Sequence, residues 1–135
     1  MALTNNGRNR MAGLITGSLD QASYGFGNTR AWIGVGNSTT AFDVTQGNLQ
    51  AAVNRLFKAM VAGYPTTVDN VMTFRSLFGT SDANYAWAEW GVSSGAVGDP
   101  AAGACLLCRK VEALGTKAST QSWQITVTIS VLVGA

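Results

Sequence analysis

The sequence predicts a mainly β fold: an antiparallel β-sandwich, jelly-roll-like, with one amphipathic helix packed on it and a short N-terminal helix or arm. Three observations carry this prediction. Residues 121–135 alternate, with Trp123, Ile125, Val127, Ile129, Val131 and Val133 on one parity. Ser122, Gln124, Thr126, Thr128, Ser130 and Leu132 occupy the other, so the segment reads as one long strand with a buried face and a hydroxyl-rich face. Residues 45–62 carry apolar side chains at helical spacing. The elements come in blocks, a helix followed by several strands, which argues an antiparallel sheet rather than βαβ alternation. Alternation does not encode strand order, so a jelly roll and a simpler sandwich both stay open.

From the N-terminus, residues 4–16 predict a short helix capped by Thr4 or Asn5, with Leu3, Met11, Leu14 and Ile15 on one face. Gly7 and Gly13 weaken it, and an arm docking on a neighbour is the alternative. Residues 17–30 are rich in Gly, Ser and Asn and predict a loop, in which Tyr24 and Phe26 need cover from the core or from a partner. Residues 31–36, A-W-I-G-V-G, predict a short strand. Gly34 and Gly36 make no phosphate-binding loop, because G-K-[ST], a third glycine in register and a following acidic residue are all missing.

For residues 45–62, Leu49, Ala52, Val53, Leu56, Phe57, Met60 and Val61 form the apolar stripe of a predicted helix. Thr45 would cap it, Gly63 would end it and Pro65 would stop its continuation. Residues 68–78 alternate, with Met72, Phe74, Ser76 and Phe78 on one parity. Residues 84–92 form a third strand with aromatics on both faces, Tyr85 and Trp87 against Trp90, as in a strand buried on both sides. Glu89 in that strand needs a partner, and Arg75 or Arg109 is the natural candidate. Residues 104–113 form a fourth strand. The final strand, long and apolar, should be central in its sheet or paired with another subunit.

At 135 residues the chain is a single domain, 1–135, with residues 1–16 as its N-terminal helix or arm. Charged residues are 12% of the chain, against roughly 25% in an ordinary soluble domain, which points to a surface largely kept from water or to a chain working in an assembly. A net charge of +2 gives no electrostatic footprint for nucleic acid. No apolar window is long enough for a membrane span, and residues 1–17 hold no secretion signal, so the chain is expected to be made in the cytoplasm.

Catalytic chemistry finds no foothold. There is no His, no close carboxylate pair on one strand face, and no nucleophile-elbow or metal-loop pattern. The expectation is no enzyme, no catalytic residue, no cofactor and no metal. Cys105 and Cys108, in C-L-L-C, fall three apart on a strand and so face opposite ways. They read as two small core residues, with a disulfide to a neighbouring subunit as the alternative. Trp32, Trp87 and Trp90 give a further reading, stacking on host glycans.

Four segments, taken together, resemble a known family. They are L-T-N-N-G-R-N-R-M-A (residues 3–12), A-W-I-G-V-G-N-S-T-T-A-F (31–42), N-V-M-T-F-R-S-L-F-G-T-S-D-A-N-Y-A-W-A-E-W-G-V (70–92) and L-C-R-K-V-E-A-L-G-T-K-A-S-T-Q-S-W-Q-I-T-V-T-I (107–129). Their order resembles the small virion structural proteins of tailed bacteriophages over nearly the whole chain. C-L-L-C is not part of that pattern. The resemblance implies a particle component without catalytic residues. It is expected to be a capsid cement or decoration protein on the major capsid protein shell, or a neck, collar or tail-fibre component. The implied partner is the major capsid protein or another virion protein, with no nucleic acid and no membrane, and the chain is expected to form a homo-oligomer in the virion. Leu3, Arg8, Arg10, Met11, Tyr24 and Phe26 are the residues expected at the interface.

Overall fold

A computed structural model describes residues 1–132. Eight strands and two helices follow in chain order: β1 (Ala2–Leu3), α1 (Asn5–Thr16), α2 (Gln21–Tyr24), β2 (Ala31–Gly36), β3 (Arg55–Ala59), β4 (Thr66–Val68), β5 (Val71–Phe78), β6 (Ala86–Ser94), β7 (Cys105–Thr116) and β8 (Trp123–Ser130). They form two antiparallel sheets, ordered β1-β7-β6-β2-β3 and β4-β5-β8.

The two sheets share one core. Ile33, Val35, Trp87, Trp90 and Val92 from the larger sheet cluster with Phe74, Phe78, Val127 and Ile129 from the smaller. The parity read along β5 and β8 is the parity observed: Phe74 lies opposite Val127 and Met72 opposite Ile129 in the register. An aromatic chain ties the sheets together, with Phe78 and Trp123 of the smaller sheet edge-on to Trp87 of the larger at 4.9 and 5.0 Å. As expected, β6 is buried along most of its length on both faces, but Trp87 and Trp90 do not oppose each other: a register shift between Trp87 and Glu89 brings both into the same core.

Residues 45–62 do not form the predicted helix, so the amphipathic helix expected to pack on the sheets is not there. Residues 37–54 run as an irregular cover and Arg55–Ala59 is edge strand β3. Tertiary pairing overrides the helical period here. The register sets Phe57 opposite Gly34, and a Cβ at Gly34 would collide with the Phe57 ring. The glycines of β2 therefore make the room that lets this segment pair as a strand. The apolar stripe splits accordingly: Leu49 is buried under the cover while Val53 is 85% exposed. Thr45 turns back on Asp43, which accepts from its backbone N–H at 2.8 Å, instead of capping a helix. Gly63, in the left-handed region at φ 84°, and Pro65 serve the turn into β4.

Of the two placements expected for the final strand, the central one is not observed: among the described residues it pairs with β5 alone and is the edge of its sheet, which leaves pairing with another subunit. It ends at Ser130; Val133 and Gly134 lie outside the described residues.

The N-terminal helix forms as predicted, and it docks on β7. Thr4 accepts from Gly7 N at 2.9 Å as the cap and donates its hydroxyl to Leu106 O at 2.5 Å. Gly7 is buried against the Leu107 backbone, where a Cβ would have no space. Ile15, expected on the packed face with Met11, is instead 82% exposed. The predicted loop of residues 17–30 contains one helical turn, α2, capped by Asp20.

Candidate interaction surface

Helix α1 and the smaller sheet enclose an open apolar groove of about 520 Å³. Its walls come from distant parts of the chain: Met11, Leu14 and Ile15 of α1, Phe26 after α2, Met72 and Phe74 of β5, and Val131 after β8. None of the side chains lining it is charged. The helix stands at this position because its N-terminus is bolted to β7 through Thr4, and because Thr4 N donates to Leu107 O at 3.0 Å.

The six residues expected at an interface are not brought to one place. Met11 and Phe26 meet in the groove, both also packed against the core. Arg10 and Tyr24 meet on the other side of α1. The Arg10 guanidinium lies 5.2 Å from the centroid of the Tyr24 ring and donates to Tyr24 O at 3.1 Å, which fastens α2 to α1. Leu3 is engaged in β1, opposite Cys108 in the register, and Arg8 donates to Asn5 Oδ1 on the exposed flank. Leu14, Ile15, Met72, Phe74 and Val131 also line the groove. Sequence reasoning grouped Leu14 and Ile15 with the helix face and Met72 and Val131 with their strands, but nothing local brings these pieces together.

Outside the groove, the larger sheet buries a charged cluster. Glu89 on β6 and Arg109 on β7 are both fully buried, with Arg109 Nη2 3.5 Å from Glu89 Oε2. Arg109 also donates to Thr40 O at 2.8 Å and to Gln46 Oε1 at 3.2 Å, and Glu89 accepts from Gln50 N at 2.6 Å. Of the two arginines named as partners for Glu89, Arg109 is the one that reaches it. Arg75 lies 4.4 Å from the centroid of the Tyr64 ring. The cluster pins the 37–54 cover to the sheet at three backbone or side-chain points, and both charges are spent on one another and on that cover. The Tyr85 phenol, which donates to Val35 O at 3.2 Å, is pushed up by burial and, less, by the charge of Glu89.

Cys105 and Cys108 are free thiols, both buried in β7. Burial raises the Cys105 thiol and pushes that of Cys108 up to about 12. Both thiols therefore hold less thiolate at pH 8 than a free cysteine would, the thiolate is the reactive form, and both side chains are buried. Maleimide should therefore leave the native protein unmodified over an hour at pH 8 and label both cysteines in 8 M urea. Rapid labelling of the native chain, read by intact mass, would show that β7 opens.

Of the three tryptophans considered for glycan stacking, Trp87 and Trp90 have their rings in the core. Trp32 is half-buried, with its indole N–H donating to Gly95 O at 2.6 Å. No helix among the described residues is long and apolar enough to cross a membrane, and no cluster of three or more metal-ligating side chains occurs among them. Comparison of the chain with family models, with curated proteins and with solved structures returned no match.

Proposed function

We propose that the chain is a non-enzymatic structural component of a bacteriophage virion, a cement or decoration protein that binds the major capsid protein shell and stabilises the head. The observation that carries this reading is the open, uncharged groove beside α1, whose rim includes the outward-pointing Ile15. A surface of this kind buries apolar area when it seats on a neighbour. Copies held on a lattice add weak contacts into strong attachment. The low charge of the chain and the four-segment resemblance to small virion structural proteins support the same reading. The two sheets and their shared core fit a β-sandwich, and a jelly-roll-like form of it belongs to this proposal. Within it the Glu89–Arg109 pair has a structural role.

The test is copy number. Quantitative mass spectrometry of purified particles of the encoding phage should find the chain at a simple fraction of the major capsid protein, and on heads without tails as well. A ratio of a few per cent would move it to the neck, collar or tail fibre. Absence from particles would end the virion reading.

A further inference from the structure

The four strands that end the two sheets are not alike. At one end of the larger sheet, β1 is two residues long and runs directly into the cap of α1. At the other, β3 carries Arg55 and Lys58, held in ion pairs with Asp99 and Asp82. In the smaller sheet, β4 is three residues long and lies between Pro65 and Asp69, whose φ is 52°. Short length, charge and proline are the ordinary means of keeping a sheet edge from pairing with another chain. The fourth edge, β8, has none of them. It runs for eight residues, and no residue from 118 to 132 is charged.

The backbone direction of β8 follows from its neighbour. Val131 N donates to Asn70 O, and Arg75 O, opposite Thr126, accepts from Val61 N on the far side of β5. Odd-numbered residues of β8 therefore bond to β5, and the N–H and C=O groups of Gln124, Thr126, Thr128 and Ser130 point outward. The same four residues have exposed side chains. No backbone bond from these outward groups to another described residue exists.

We infer that β8 pairs with β8 of a second copy of this chain, antiparallel about a two-fold axis at Val127, joining two three-stranded sheets into one of six strands. Only one register uses all the outward groups at once. It sets Thr126 opposite Thr128, Gln124 opposite Ser130, and Val127 opposite itself. It forms about eight hydrogen bonds, two for each outward-facing pair. On the outer face it joins threonines, which pair well across strands. On the inner face it sets Ile125 opposite Ile129 and Trp123 opposite Val131 of the second copy. That contact covers Ile125 and Trp123, which are half-exposed at this edge, and Val131, which is 56% exposed. The absence of charge matters because a two-fold pair brings each side chain near its own copy, so any charge near the axis would meet its like. The inference needs only the fold and does not depend on the virion reading.

The test uses the purified wild-type chain. Light scattering at tens of micromolar should give twice the 14.1 kDa chain mass. Hydrogen exchange should protect the amides of Thr126 and Thr128, with protection falling on dilution. Thr128→Pro removes an outward N–H and no bond to β5, so it should yield a monomer with an unchanged near-ultraviolet spectrum. Thr128→Lys should do the same by repulsion across the axis. A wild-type monomer, or amides of Thr126 and Thr128 that exchange freely at all concentrations, would overturn the inference. So would an oligomer whose mass neither substitution changes. The exchange measurement decides the matter even if a variant fails to fold.

Discussion

Arg109→Ala should lower the unfolding free energy by about 3–5 kcal/mol, because it leaves the Glu89 carboxylate buried without its counter-charge. The pair is fully enclosed, and the substitution also strips Thr40 O and Gln46 Oε1 of their donor. Much of the loss belongs to the orphaned charge and not to the attraction itself. Replacing both partners, Glu89→Leu with Arg109→Met, should therefore cost clearly less than Arg109→Ala alone. Urea unfolding followed by tryptophan fluorescence measures both variants. A single-variant loss under about 1 kcal/mol would show that water reaches Glu89 and that the 37–54 cover is looser than its hydrogen bonds imply.

Phe74→Ala should cost a similar amount, about 3–5 kcal/mol, for a different reason. Phe74 is 2% exposed on the inner face of β5, opposite Val127 in the register, and it fills the space between the two sheets. Val53→Ala is the matched control: that side chain is 85% exposed and its removal should change stability by less than about 0.5 kcal/mol. Equal losses at both positions would mean that the sheets do not share the core described.

Much of the strand content was legible because a strand declares itself by its own alternation. The β2 segment was found at its observed bounds, and the inner faces of β5 and β8 were read residue by residue. Glu89 named Arg109 as one of two partners because a carboxylate between aromatics demands a cation. The 45–62 segment was misread because its apolar spacing satisfies a helix locally. What decides its state is the missing side chain at Gly34, on another strand, which opens a berth for Phe57. The edge position of β8 was equally hidden. Alternation shows which face is buried but not how many neighbours a strand has. The groove could not be read at all, since its walls meet only when residues 11, 26, 72 and 131 are folded together.

The pairing of β1 with β7 has a consequence for how the chain is made. Ala2 lies opposite Arg109, so β1 must wait for a partner made more than 100 residues later. At about 5–20 residues per second that delay is on the order of 5–20 s, during which Leu3, Met11 and the rest of α1 have no dock. Closing so long a loop means that the edge of the larger sheet forms only after β7 has been made. Crowded polysomes would hold many such unclosed N-terminal segments side by side, and the polar Asn5, Asn6, Arg8, Asn9 and Arg10 that precede the apolar half of α1 keep that stretch hydrated until β7 arrives.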